Sequence, residues 1–492
     1  MSVGPAIVAS MFESESAADV IDRMCAASRA ENRAAGERLV AIGELDVLRL
    51  RERGECETYC TDTWDAVTAE VAAALQISQG LAASYVESAR ILRNRLPRVG
   101  AALVAGDITF WTFQTIAYRT ELITDTEVMA SVDAELAAKV RRWASMTRGR
   151  LVACIDRVVE RMDRDAVRRR RKAKEDRKLS ISDSGNGLSD IFGRLVSTDA
   201  HAVDKRLDAL ADTVCADDPR TRMQRRADAM GALAVGAERL ACRCGLPACP
   251  AGATSAPPAV VIHVVAEQAT VEGAAQTPGF VVGTEELFPA ELVAELAASA
   301  KLAPLIHPTD ASPERGYTPS RGLAEFIRCR DLTCRFPGCD RSALNCDLDH
   351  TVPHDQGGAT HASNLKCLCR QHHLIKTFWG WRDKQLPDGT VIWTSPSAHT
   401  YVTTPGSALL FPSLCVPTGD LPAPEQAGRQ RCADKTATMP LRTSTRAQNR
   451  ARYVKAERRL NRQSRQNYYS ATQVTSQVTT QGDPGDDDPP PF

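Results

Sequence analysis

The sequence predicts an α+β protein: a large N-terminal all-α domain, a small mixed connecting region, a compact C-terminal unit built around metal ligands, and a mostly disordered tail. Three observations carry this reading. At 492 residues the chain is too long for one core, and two or three domains of about 100–200 residues are expected. Hydrophobic residues make up 43% but aromatic residues only 5%, and the many Ala, Leu, Val and Arg favour helix over sheet. Cysteine is concentrated: of 16, six lie between Cys329 and Cys369 beside clustered histidines. That pattern fits metal binding in a reducing compartment better than a disulfide scaffold.

Residues 13–245 are expected to form the helical domain. Val20, Ile21 and Met24 recur at helical spacing and define one face. Pro97 and Gly100 separate two helices, and Gly106-Asp107 separates the next two. Between Trp64 and Leu92, small residues, a turn and the capping Ser78 give the pattern of a helix-turn-helix. Ala-rich helical hairpins give the same pattern without reading DNA. The basic run from Arg168 to Lys178 reads first as a solvated helix face and second as a phosphate-contacting surface.

Residues 246–321 are expected to be a linker and a small mixed α/β region. At its start, Cys242, Cys244 and Cys249 lie in a Gly/Pro-rich loop that spans the boundary. They could hold zinc with a fourth ligand from elsewhere, or remain free thiols at a domain boundary. Val260 to Val265 is a β-branched run that predicts a strand.

Residues 322–405 hold the chemistry. Cys334 and Cys339 flank Pro337-Gly338, which suits a tight turn, while Cys369 and His372 begin a helix. The two pairs, about 30 residues apart, make a Cys3His set for a structural Zn2+. Such a site stabilises a segment too small to build its own core. Cys329, Cys346 and Cys367 are alternative ligands. Inside the staple, Asp347, Leu348 and Asp349 alternate as in a strand, with both carboxylates on one face. Gly357-Gly358 makes a loop, and Asn364-Leu365 begins a return strand. On a helix, neighbours point about 100° apart, so His373 can face away from the zinc. Asp349, His350, Asn364 and His373 then converge.

These residue types suit phosphodiester hydrolysis. Asp349 offers an oxygen to Mg2+, and His373 a nitrogen that also admits Mn2+. The catalytic ion would polarise the phosphate. His350 suits a general base because its ordinary pKa lies near neutrality. Asn364 could fix the loop or complete the ion's shell, and Lys376 could contact a phosphate. His354, His361 and His399 read as surface groups, and Trp379 and Trp381 as packing residues.

Residues 417–492 are low in apolar side chains and read as mostly disordered. Arg442, Arg446, Arg450, Arg452, Lys455, Arg458, Arg459, Arg462 and Arg465 make a basic segment, with Asp486 to Asp488 near the end. The basic segment could bind nucleic acid non-specifically, with the acidic end competing for it.

Net charge is +0, so no global field attracts nucleic acid and any such binding must use local patches. The first residues lack a basic region and carry Glu13, unlike a signal peptide. No apolar run approaches the ~18 residues of a membrane helix. The cytoplasm is the expected location.

Asp349-His350, Asn364 and His373 resemble the three blocks of an HNH (ββα-metal) nuclease, and the zinc pairs resemble the subset of that family with a structural zinc. The resemblance spans about residues 327–381. It implies a ββα-metal domain in which His350 is the base, Asp349 and His373 are metal ligands, and Asn364 is the structural block. The second zinc pair is Cys-x-x-His rather than the more usual Cys-x-x-Cys, which leaves His372 and His373 interchangeable on paper. The whole chain resembles the actinobacterial 13E12 repeat family, through Leu96-Pro97, Ala101 to Gly106, and Gln224 to Ala229. That resemblance implies an N-terminal helical domain of unknown function joined to an HNH domain. The function expected is a metal-dependent DNA endonuclease with DNA as partner. The alternative is a non-catalytic zinc module that binds nucleic acid. The sequence leaves the oligomeric state open.

Overall fold

A computed structural model describes residues 16–143, 146–168, 177–185, 188–247, 249, 251, 263–282, 287–298, 300–419, 421 and 438–479. The N-terminal unit is helical: α1 (Ala17–Arg53), α2 (Thr63–Leu75), α3 (Gln79–Asn94), α4 (Pro97–Val104), α5 (Phe110–Thr120), α6 (Thr126–Val140) and α7 (Arg148–Met162). Caps set the boundaries. Asp62 and Asp65 form a reciprocal capping box on α2, Ser78 caps α3 through the Leu81 amide, and Pro97 opens α4 where its missing N–H costs nothing. Gly106, at φ +80, lies against the Arg29 carbonyl, where any Cβ would collide.

The core of this unit joins Leu39, Val67, Val86, Leu103, Ile116, Leu136 and Ile155. The face carrying Ile21 and Met24 differs from expectation: both are exposed, and burial along α1 begins only at Gly36. A second departure interrupts the all-α expectation. The strands β1 (Lys178–Gly185) and β2 (Leu188–Arg194) pair into an antiparallel ribbon. Most of the basic run from Arg168 to Lys178 lies outside the described residues. A helical hairpin follows, α8 (Ser197–Ala211) and α9 (Arg222–Ala234).

The connecting region is mixed, as expected. A small antiparallel sheet joins β3 (Val264–Val265), β4 (Gly279–Val281) and β5 (Leu287–Phe288), with α10 (Gln268–Val271) and α11 (Ala290–Ala297) beside it. Of the expected 260–265 strand, residues 260–262 lie outside the described residues.

The C-terminal unit contains α12 (Arg321–Asp331), β6 (Cys346–His350), β7 (Leu365–Cys369), α13 (Arg370–Phe378), and a meander of β8 (Arg382–Gln385), β9 (Val391–Thr394) and β10 (Thr400–Thr403). Phe326, Phe336, Leu365, Ile375, Trp381 and Trp393 build its core. Trp379 and Trp381 are buried, in keeping with a packing role. Helix α2 serves both cores: Val67 and Val71 face the helical unit, while Ala66, Ala69 and Ala73 face the C-terminal one. Small side chains there permit close approach.

The tail departs most from expectation. A helix, α14 (Arg446–Thr479), follows a bridge between Tyr59 and Leu441 and inserts Val454 into the helical core. Arg442 and Arg446 pair with the buried Asp62 and Asp65, Arg450 with Glu87, and Arg458 with Asp163. Much of the basic segment is therefore neutralised within the chain. The acidic end lies outside the described residues. Among the described residues, no helix is long and apolar enough to cross a membrane.

Candidate metal centre and inner polar cluster

The outer ligands come together as the spacing predicts. Cys334, Cys339, Cys369 and His372 place their ligand atoms within 4.8 Å of one another. His372 presents Nδ1 to Cys369 Sγ at 3.3 Å and to Cys334 Sγ at 3.6 Å. A Zn–S bond of about 2.3 Å implies tetrahedral ligand separations of about 3.8 Å, so the set fits one zinc ion. The Cys369 amide donates to Cys334 Sγ, and Phe336 stacks on His372 at 4.1 Å. Two of the three alternatives have contacts of their own: Cys346 donates to the Ser342 carbonyl and Cys367 contacts the Ile327 carbonyl.

The Pro337-Gly338 turn also touches the helical unit. Gly338 has φ +70 and lies against the Ile77 carbonyl, where a Cβ would not fit. Gln79, at the start of α3, donates to the Pro337 carbonyl. In a helix-turn-helix that end of the second helix would face DNA bases. Here it is docked on the cysteine turn, and Arg90 and Arg93 fold inward onto the buried Asp46. Gln79 and the Arg90 and Arg93 side chains of this segment are therefore engaged within the chain.

The inner residues sit on β6, β7, their connecting loop and α13. Register places Asp349 opposite Lys366 and His350 opposite Leu365. Asp349 Oδ1 lies 3.4 Å from His373 Nε2, and His373 Nδ1 lies 2.9 Å from Asp347 Oδ2. His372 faces the cysteines and His373 faces the carboxylates, so the paper ambiguity between them disappears. Asp349 is buried, which alone would raise its pKa, but Lys366, Lys376 and His373 hold it down at about 2.

His350 Nε2 lies 3.0 Å from Thr360 Oγ1. Thr360 has one hydroxyl proton, which it donates to the Gly316 carbonyl. It must therefore accept from His350, which fixes the Nε2–H tautomer and leaves Nδ1 as a lone pair. That Nδ1 is buried and has no hydrogen-bond partner among the described residues. Burial pushes the His350 pKa down to about 4, against the opposing pull of Asp349. Tyr317 stacks on its ring at 5.2 Å.

Asn364 is fully engaged in the loop. Its oxygen accepts from the Val352 amide, and its Nδ2 donates to the Val352 and Ala359 carbonyls. Of the two roles expected, it takes the one that fixes the loop. Lys376 also differs from expectation. Its ammonium is held by Asp349 Oδ2 at 2.6 Å, by the His350 carbonyl and by Asp383, which points it inward rather than toward a phosphate. His361 is not a surface group: it is buried, contacts the Ala311 carbonyl and accepts from the Ser363 amide. His354 and His399 are exposed as expected.

Three residues of this cluster carry roles the sequence left unassigned: Asp347, Lys366 and Thr360. The alternation of β6 already put Asp347 on the face of Asp349. Lys366, fully buried between Asp349 and Asp383, becomes visible only once the strand register is known.

Comparison with known proteins gives no activity. No solved structure matches the chain. An uncharacterized protein of Mycobacterium tuberculosis (strain ATCC 25618 / H37Rv), Rv2100, is 43% identical, with 88% of this chain and 86% of its own length covered. A second from the same strain, Rv3776, is 44% identical, with 88% of each chain covered. A third, described as an uncharacterized protein in est 3'region of Mycobacterium tuberculosis, is 39% identical over 61% of this chain and 92% of its own. Residues 26–331 match the family described as a domain of unknown function, DUF222. That match ends just before Cys334, whereas coverage of 88% exceeds what residues 1–331 could supply, so the likeness to the first two relatives runs on into the C-terminal third. On the extent of these matches, the chain belongs to the DUF222 family.

Proposed function

We propose that the protein is a metal-dependent DNA endonuclease whose reaction site is the inner cluster on β6, the loop and α13. The observation that carries this reading is the approach of Asp349 Oδ1 to His373 Nε2, 3.4 Å apart, on a strand whose next residue, His350, has an Nδ1 without a hydrogen-bond partner among the described residues. Two cis ligands of an octahedral ion with bonds of about 2.1 Å stand about 3.0 Å apart, so this oxygen and nitrogen fit one Mg2+ or Mn2+. Bound there, the cation would supply Lewis-acid polarisation of the phosphate and stabilisation of the leaving oxygen.

The chain's own residues do the rest. Thr360 holds the His350 tautomer, so Nδ1 can take a proton from the attacking water. The depressed pKa keeps that imidazole neutral at pH 7. Asp347 orients His373 through Nδ1, a carboxylate–histidine arrangement that leaves Nε2 for the ion. Asn364 closes the loop that carries Thr360, and Lys366 and Lys376 fix the Asp349 carboxylate. The cysteine staple sets the start of α13 against β7.

A second reading, a zinc module that binds nucleic acid without cutting it, draws support from the two lysines. Both ammonium groups already neutralise Asp349 and compete with a cation. Plasmid nicking by His350→Ala protein of unchanged zinc content separates the two. Loss of nicking supports the enzyme, and nicking equal to wild type refutes His350 as the base.

A further inference from the structure

A second thiol cluster lies about one domain away in sequence, at the end of the α8–α9 hairpin. This hairpin has a thin core: Leu210, Ala211, Ala229 and Leu240 are its buried apolar residues. Cys215 follows α8, and Cys242, Cys244 and Cys249 follow α9. Their four sulfurs lie within 4.8 Å of one another, with Cys215 and Cys242 at 3.4 Å. The Leu246 amide donates to Cys244 Sγ at 3.5 Å, across a turn in which Gly245 takes φ +72.

We propose that Cys215, Cys242, Cys244 and Cys249 bind a second structural zinc ion as four thiolates. The ligand count, the mutual separations and the soft donor set fit tetrahedral zinc at Zn–S distances of about 2.3 Å. Two disulfides would need the sulfurs sorted into pairs, each near 2.05 Å. Four sulfurs mutually within 4.8 Å, one of them accepting from the Leu246 amide, instead favour a shared cation. Peptide N–H groups directed at sulfur stabilise the thiolate that a metal requires. The ion ties the ends of α8 and α9 to the loop before the mixed region. Arg243, between two of the ligands, continues that tie through a 2.8 Å ion pair with Glu295 on α11. A segment with so small a core gains its folding free energy from the metal. All four cysteines are partly exposed, whereas three of the four ligands in the other cluster are buried. The second ion is therefore the first to leave to a chelator.

The test uses the full chain, purified from zinc-replete cells with a thiol reductant and freed of loose metal. Zinc per chain is measured for wild type and for Cys242→Ser/Cys244→Ser, and the wild-type ligand shell is read by zinc X-ray absorption. The expected results are a loss of one equivalent in the double variant, and in the wild type two zinc ions per chain with seven sulfurs and one nitrogen between them, an average of 3.5 sulfurs and 0.5 nitrogen per ion. A double variant with undiminished zinc, or a wild-type average of three sulfurs and one nitrogen, overturns the proposal. So does a thiol titration of unreduced wild type that finds these cysteines oxidised. The wild-type spectrum decides the matter even if the variant does not fold.

Discussion

Replacing Asp347 by Asn tests whether the inner cluster is built around a cation. The substitution keeps the shape and removes the charge that faces His373 Nδ1 at 2.9 Å. A hydrogen bond to a charged group contributes about 1.5–3 kcal/mol. The Asp347 side chain is 43% exposed, and solvent screening reduces this to roughly 1–1.5 kcal/mol. At about 1.4 kcal/mol per decade, Mn2+ should bind about 5–12-fold more weakly. Arg370, 3.5 Å from Asp347, loses its partner and adds a nearby positive charge, which acts in the same direction. The assay is a Mn2+ titration followed by electron paramagnetic resonance on zinc-loaded protein, with His373→Ala as the reference for loss of a ligand. Asp347→Asn protein that binds Mn2+ as tightly as wild type refutes the orienting role.

Three further outcomes follow from the same geometry. Cys334→Ser should lose the zinc held with His372 and render residues 322–405 sensitive to protease; retention of full zinc content in that variant contradicts the ligand assignment. Arg442→Ala/Arg446→Ala leaves the buried Asp62 and Asp65 without their cationic partners, and should cost about 3 kcal/mol, seen as a lower thermal midpoint that Asp62→Asn/Asp65→Asn partly restores; an unchanged midpoint contradicts the docking of the tail. For pH, protonation of His350 removes the base, and its pKa is pushed down to about 4. With Mn2+ high enough to keep the cation site filled, cleavage should therefore hold from pH 7 to about pH 5 and fall below that, whereas a fall centred near pH 6.5 that persists as Mn2+ is raised contradicts the buried, neutral imidazole.

The C-terminal site was legible because its chemistry is local. Cys334 and Cys339 bracket a turn, and Cys369 and His372 share a helix start, so spacing alone assembles them. Asp349, His350, Asn364 and His373 follow from one strand, one loop and one helix. What stayed hidden depends on contacts distant in sequence. Cys215 stands 27 residues from Cys242 in no local motif, and only the packing of α8 on α9 makes it the fourth thiol. Lys376 has the look of a phosphate contact until Asp383, on a later strand, turns it inward. The tail reads as disordered because α14 is poor in apolar residues. Its docking rests on carboxylates at Asp62, Asp65, Glu87 and Asp163, and no periodicity within the tail reports them.

The most direct measurement is relaxation of supercoiled plasmid by purified, zinc-loaded protein with Mg2+ or Mn2+ added, compared with the same protein after the added cation is chelated and with His350→Ala. The account predicts nicking by wild type that needs the added cation, together with a loss of roughly 10²–10⁴-fold in the variant, as removal of a general base implies. Zinc-loaded wild-type protein that binds the plasmid and leaves it supercoiled with either cation would contradict it and favour the binding module.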